Sequence, residues 1–296
     1  MDKSKKRVGF IGIGMMGCPM AHRLHESGYR LIVFDSIAAQ AQRFVKDHPN
    51  AVIAGDLGSF ADVDVVVLMA PGSSAVDSIV FGQSGRPGLA DVLPAGATII
   101  DMSSSEPLRS RDLSAALEKR GLHFLDAPVS GGVKRAVDGS LAIMVGGSGA
   151  HLETHRGLLQ SMGKSITHVG GAGAGHAMKA LNNYVSAAGL VAAAEALWVG
   201  QRFGLDPAVM TDVFNSSTGK NNTTENKVKP FMLSGEFNSG FALSLMAKDV
   251  GIAVGLGDAV GHPMDFGTDV LRIWESALET LGASADHTEM YRFLQK

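Results

Sequence analysis

Along the first 170 residues, apolar positions fall in short runs, each closed by glycine, proline or a small polar residue. Arg7-Val-Gly-Phe-Ile-Gly reads as a strand running into a glycine-rich turn. Pro19 and Met20–Leu24 read as the first turns of a helix that Gly28 stops. Tyr29–Asp35 is a second strand, and the unbroken apolar run inside Ala61–Pro71 has the character of a buried parallel strand. Further strands are expected within Ala97–Ser105, Gly121–Asp126, Asp138–Gly147 and Ser165–Gly170. Strands that alternate with helical stretches predict an α/β fold, a Rossmann-type doubly wound and mostly parallel sheet.

The pattern then changes. A glycine cluster from Gly171 gives way to an apolar stretch with no proline until Gly204 supplies a stop, so one helix is expected to about Phe203. At 1.5 Å per residue it would be roughly 45 Å long. Asp206-Pro207 starts another helix, Asn215–Thr224 is a polar loop, and Phe241–Asp249 opens a further helix, with no sheet signal to the end. The expected division is a dinucleotide-binding domain over 1–170, a long interdomain helix over 171–203 and an all-α domain over 204–296.

Composition narrows this picture by exclusion. A chain of 296 residues suggests about two domains, and 45% hydrophobic residues suffice for ordinary cores. A formal net charge of −3 gives no footprint for nucleic acid, and the basic cluster Lys3–Arg7 is a short tail ahead of the first strand. No apolar run is long enough to span a membrane, and no secretory leader is recognised. The single cysteine, Cys18, cannot form an internal disulfide and fits a reducing cytoplasm. It reads either as a small helix residue or as a redox-sensitive thiol. The pairs His151/His155 and His22/His25 lack a third ligand and are expected to be surface helix histidines, so no metal is expected.

The candidate chemistry starts at Gly12-Ile13-Gly14-Met15-Met16-Gly17, a GxGxxG in its required strand-to-helix context. Gly12 permits a tight turn, Gly14 lets the backbone approach a pyrophosphate, and Gly17 lets helix and strand pack closely. Asp35, at the end of the second strand, is placed to bind ribose hydroxyls or to cap the next helix. It would repel a 2′-phosphate and no arginine follows it directly, which favours NAD over NADP. Ala70 and Pro71 lie at the strand edge where open α/β sheets bind ligands. Ser103, Ser104 and Ser105 either face a nicotinamide or cap the helix after Glu106. Ser130-Gly131-Gly132 can form a small anion-binding concavity. Lys179 and Asn183 are four residues apart on the long helix and share a face, with Ala177, Met178, Ala180 and Leu181 around the lysine. A desolvated lysine can give and take a proton near neutrality. Lys248 and Asp249 are adjacent and are not expected to face each other.

Taken in order, Gly12-x-Gly14-x-x-Gly17, Asp126-Ala-Pro-Val-Ser-Gly-Gly132, Lys179 with Asn183, and Lys248-Asp249 resemble the β-hydroxyacid dehydrogenase family over nearly the whole chain. The resemblance implies that the Gly12–Gly17 loop binds the cofactor pyrophosphate and that Ser130, Gly131 and Gly132 hold a substrate carboxylate. It implies Lys179 as catalytic lysine, Asn183 as its substrate-positioning companion, Lys248 as a lysine lining the cofactor and substrate cleft, and a homodimer or homotetramer. The implied reaction is hydride transfer between NAD and the hydroxyl carbon of a small 3-hydroxy acid. Other readings are a dehydrogenase of a β-hydroxy amino acid (serine, threonine or phenylserine), an NADPH-linked semialdehyde or glyoxylate reductase, and a non-catalytic dinucleotide sensor. The imine-reducing relatives lack the lysine, so Lys179 argues against that branch.

Overall fold

The structure, a computed structural model, describes residues 7–295. Lys3, Lys5 and Lys6 of the basic tail lie outside them. The chain divides into two compact units, Met1–Lys179 and Ala180–Lys296, and the division falls inside one helix.

The described part of the first unit is built on one sheet of β1 (Arg7–Ile11), β2 (Arg30–Phe34), β3 (Val52–Ile53), β4 (Val65–Leu68), β5 (Thr98–Asp101), β6 (His123–Asp126), β7 (Val129–Ser130), β8 (Leu141–Gly147) and β9 (Gly163–Gly170). Its order is β3-β2-β1-β4-β5-β6-β8-β7, with β9 paired to β8. All pairs from β3 to β6 are parallel, as is β8 with β9, whereas β6–β8 and β7–β8 are antiparallel. The alternation of apolar positions explains the layers. On β4, Val65 and Val67 join one core with Val8, Phe10, Ile100 and Leu125. Val66 and Leu68 join the opposite core with Ile11, Ile99 and Phe124. A strand buried on both faces therefore reads as the continuous apolar run of the sequence. Each such fully buried side chain contributes about 1.5–3 kcal/mol of hydrophobic stabilisation.

Helices α1 (Gly17–Glu26), α2 (Ala38–Asp47), α3 (Ser73–Phe81), α4 (Leu89–Val92), α5 (Pro107–Glu118), α6 (Gly132–Val137) and α7 (Gly149–Gln160) connect these strands. His155 on α7 departs from the surface expectation. It is buried, with Nε2 3.0 Å from the Thr98 hydroxyl of β5, because this face of α7 packs inward with Leu152, Leu158 and Leu159. His151 does stay nearer the surface, stacked on His123. Among the described residues no group of three or more His, Cys, Asp or Glu side chains is arranged to hold a metal ion.

The long helix α8 is Ala174–Phe203. Past it come α9 (Pro207–Ser216), α10 (Asn222–Asn226), a π-helix (Val228–Leu233), α11 (Leu243–Ala259), α12 (Asp265–Leu281), a 3₁₀ turn (His287–Glu289) and α13 (Met290–Phe293). The second unit has its own core, including Leu190, Leu197, Val250 and the fully buried Trp274. Asp206 caps α9 by accepting from the Ala208 and Val209 amides, as Asp-Pro predicts. The expected loop Asn215–Thr224 is shorter than read. Asn215 and Ser216 complete α9, and Asn221 accepts from the Thr223 and Thr224 amides while the Thr224 hydroxyl accepts from the Asn221 amide. These polar groups are used to start a helix, which accounts for their density. No helix among the described residues is long and apolar enough to cross a membrane.

Candidate active site

The site is assembled where the parallel strands of the first unit end. Gly12 follows β1 with φ +96°, and a Cβ there would sit 2.2 Å from the Met69 carbonyl oxygen. A Cβ on Gly17 would sit 1.8 Å from the Gly12 carbonyl oxygen, so this position holds the turn and α1 together. Gly14 differs, because a Cβ there would meet nothing within 4 Å. The loop thus bares its backbone at Gly14 toward open space, as close approach of a pyrophosphate requires. The residues present fit a dinucleotide.

Asp35, just past β2, turns its carboxylate onto this loop. One oxygen accepts from the Ile13 amide at 2.7 Å and the other from the Ile37 amide at 2.8 Å. Ile37 itself is the N-cap of α2 and has no side-chain cap, so Asp35 acts mainly as the brace between strand end and glycine loop. After β4 the Ala70 amide donates to the Ser103 hydroxyl, which joins the turn at Ala70-Pro71 to the serine loop after β5. Ser105 donates to Asp101, and the Glu106 amide that opens α5 is met by the Ser73 hydroxyl. Helix capping by Ser103–Ser105 is therefore not what the structure shows. Ser104 sits between them, in the same loop.

Ser130 ends β7, and Gly131 (φ +130°) and Gly132 (φ +67°) carry the chain into α6. Such a turn bares consecutive amides, as an anion-binding concavity needs. Lys179 comes from α8 and is only 8% exposed. Its helix starts against the sheet. A Cβ on Gly175 would lie 2.4 Å from the Met144 carbonyl oxygen and 2.6 Å from that of Asp126. The Asp126 carboxylate, at the end of β6, accepts from the Gly173 amide at 2.8 Å and from the His176 amide at 3.0 Å. It supplies from a distant strand the cap that α8 lacks locally, and it places negative charge at the positive end of a 30-residue helix. Burial pushes the Asp126 carboxyl above its ordinary range, against the pull of His176 and the amides. The clustered glycines here serve helix-to-sheet packing as well as any ligand, which the glycine count alone did not separate.

Asn183 and Lys248 belong to the second unit. Asn183 is buried, donates to Asp249 at 2.6 Å and accepts from Asn182 at 3.1 Å. Lys248 Nζ lies 3.8 Å from the Asp249 carboxylate, contrary to the expectation that neighbours on a helix do not meet. The Cβ directions diverge, but the four-carbon stem of lysine is long enough to bend back. Sequence reasoning missed Asp126 as a helix cap, His176, and the Asn183–Asp249 bond. The Gly-Ala-Gly-Ala-Gly run, which has no Ser, Thr, Asp or Asn to cap its helix, was the signal for the first.

A cavity of about 710 Å³ lies between α1, α2 and α6 and touches the glycine loop at Ile13, Gly14 and Met15. Cys18 lines it, yet burial raises the thiol pKa despite the opposing Arg43, so the small-helix-residue reading of this cysteine is the one favoured.

Residues 7–170 match the family described as the NAD binding domain of 6-phosphogluconate dehydrogenase. Residues 173–294 match the NAD-binding domain of NADP-dependent 3-hydroxyisobutyrate dehydrogenase. The chain is 35% identical to 2-(hydroxymethyl)glutarate dehydrogenase of Eubacterium barkeri, over 93% of this chain and 90% of that protein. It is 33% identical to the mitochondrial 3-hydroxyisobutyrate dehydrogenase of Bos taurus, over 99% and 88%. The structure of Mycobacterium tuberculosis 3-hydroxyisobutyrate dehydrogenase with L-serine superposes with a TM-score of 0.88 at 29% identity, covering 98% of this chain and 99% of that one.

Proposed function

This chain belongs to the β-hydroxyacid dehydrogenase family and is an NAD(P)-dependent oxidoreductase acting on the CH–OH group of a small hydroxy acid; from that premise we propose that Lys179 is its general acid–base group and NAD its preferred cofactor. The observation that carries this reading is Lys179 itself, a lysine buried in the first unit on a helix start that Asp126 caps. The substrate carboxylate docks on the amides of Ser130, Gly131 and Gly132. Lys179, as the neutral amine, takes the hydroxyl proton while the carbon-bound hydrogen departs with its electron pair; in reduction the ammonium returns that proton to the new alkoxide oxygen. A nicotinamide cofactor bound at the glycine loop would supply the hydride acceptor or donor. Asn183, one turn further along α8, orients the alcohol, and Lys248 keeps the cleft-lining role that the resemblance implies. Asp35 supports NAD, since an acid at the end of the second strand would repel a 2′-phosphate.

The substrate favoured is a 3-hydroxyisobutyrate-like 3-hydroxy acid. A β-hydroxy amino acid is the second reading, supported by the L-serine in the Mycobacterium tuberculosis structure. The test is NADH or NADPH formation by wild type and Lys179→Ala across 3-hydroxyisobutyrate, 3-hydroxypropionate, glycerate, serine, threonine and phenylserine. Turnover with NAD and a simple 3-hydroxy acid, lost in the variant, is expected. Preference for NADP removes the role given to Asp35, and preference for serine moves the substrate to the second reading.

We also propose a homo-oligomer in a cytoplasmic setting. Within the second unit, Val185, Val199 and Phe203 of α8 and Val209 and Val213 of α9 are exposed apolar side chains of the kind an interface between copies would cover. A monomer mass by light scattering would remove this proposal.

A further inference from the structure

We infer that His176 is a positioning residue for Lys179, acting through the first turn of α8; this rests on the acid–base role proposed for the lysine. His176 is 1% exposed and sits one turn before Lys179. Its Nε2 lies 3.1 Å from the Ser103 carbonyl oxygen. A carbonyl only accepts, so Nε2 carries the hydrogen. Its Nδ1 lies 2.7 Å from the Ser110 hydroxyl, which also donates to the Glu106 carbonyl one turn back, at the start of α5. The ring thus bridges two elements, hydrogen-bonded through both nitrogens. The His176 amide is held in addition by Asp126 at 3.0 Å. The first turn of α8 is therefore tied to the loop after β5, to α5 and to the end of β6. Through the Ser103 hydroxyl the tie extends to Ala70 after β4, in the cofactor-facing loop.

The two carboxylates nearest the ring are also occupied. Asp101, 3.7 Å from Nε2, accepts from the Ser103 amide and the Ser105 hydroxyl. Asp126, 4.0 Å from Nδ1, caps the helix. The ring is thus fixed by its partners on both nitrogens. Residues three apart on a helix are neighbours on its surface. A first turn that slides or tilts carries Lys179 with it, and a displacement of about 1 Å at a reacting group can cost on the order of 100-fold in rate.

The experiment is a double-mutant cycle read as kcat, KM for the hydroxy acid and Kd for NAD. His176→Leu keeps an apolar bulk but offers neither hydrogen bond. His176→Gln restores both, its amide nitrogen donating to Ser103 and its amide oxygen accepting from Ser110. We expect His176→Leu to lower kcat about 10- to 100-fold, with KM and Kd within about twofold, and His176→Gln to recover most of it. In a Lys179→Ala background, His176→Leu should then cost nothing further. Ser110→Ala, which removes the partner on Nδ1 together with the Ser110 bond to the Glu106 carbonyl at the start of α5, reads the same cycle should the leucine variant fail to fold. Equal losses in both backgrounds, or an unchanged kcat in His176→Leu, would overturn the inference. Full activity in Lys179→Ala alone overturns instead the lysine reading beneath it.

Discussion

Each unit of this protein buries one histidine among a serine, an aspartate and a backbone carbonyl, and the two clusters have opposite consequences. In the first unit His176 lies at the C-terminal ends of parallel strands, where Ser103, Ser110 and the Asp126 cap hold a helix start one turn before Lys179. In the second unit His287 lies in a short turn near the end of the chain. Its Nε2 is 2.8 Å from Lys227 Nζ, and its Nδ1 is 3.0 Å from the Ser239 hydroxyl and 3.1 Å from the Phe241 carbonyl oxygen. By composition Ser239, His287 and Asp286 look like a nucleophilic triad. Geometry says otherwise. In a triad the imidazole bridges, one nitrogen to serine and the other to the carboxylate. Here serine and carboxylate both lie on the Nδ1 side, and the Ser239 hydroxyl donates directly to Asp286. Asp286 also caps the turn through the Thr288 amide. This cluster pins the C-terminal segment to the rest of its unit. What separates the two is the element beneath them: strand ends open onto ligands, whereas helix sides packed on helices close.

The comparison predicts that perturbing the first cluster costs rate and perturbing the second costs stability. The largest effect belongs to Lys179. Lys179→Ala should lower kcat by about two to four orders of magnitude, the usual range for a general acid–base group, with the unfolding midpoint little changed. Steady-state kinetics and thermal melts on the same sample decide it. A large fall in stability with modest loss of rate would make Lys179 a structural residue like Lys227.

Next comes a contrast inside the glycine loop. Gly14→Val projects into open space and should leave stability unchanged while weakening NAD binding tenfold or more, at least about 1.4 kcal/mol. Gly17→Val drives a side chain into the Gly12 carbonyl and should destabilise the fold, by about 1–3 kcal/mol on the scale of overpacked cores. Titration of NAD by fluorescence, beside urea unfolding, separates them. If Gly14→Val binds NAD as wild type does, the loop is not the pyrophosphate site.

How much of this could be read beforehand follows from the range of the interactions. The glycine loop and strands β1, β2, β4, β5 and β6 were legible because period and turn chemistry are local, whereas the brace from Asp35 to the Ile13 amide was not. The two-residue strands β3 and β7 were not, since a pair of residues carries no period. The capping of α10 by Asn221 and Thr224 was within reach, because an Asn three residues before a hydroxyl is a helix-start signal inside what otherwise reads as a polar loop. His155, His176 and the Asp126 cap join residues 47 to 73 apart in sequence, and no local rule reaches that far. The proposed roles of Ser130 and Lys179 came from the resemblance joined to local chemistry, not from any pattern that periodicity could show.

An effect on stability alone, with no change in rate, sharpens the second half of the comparison. Burial pushes Lys227 down from 10.5 to about 8, only partly opposed by Asp286. Burial works against the Asp286 carboxylate too, yet hydrogen bonds from His287, Thr288 and Ser239 hold it well below the usual range, while burial pushes His287 down. Between about pH 8 and 10.5 the folded chain has released a lysine proton that the unfolded chain still binds. Stability contributed by this group therefore rises with pH across that window, by on the order of 3 kcal/mol in full. Other lysines and tyrosines titrate there as well, so the quantity to follow is the difference between wild type and Lys227→Met. Wild type should gain on the variant steadily from pH 8 to 10.5 in urea unfolding, with kcat of the two equal at pH 8. A difference that stays flat with pH would mean that Lys227 is solvated in the folded protein and that the second cluster is held by Asp286 and His287 alone.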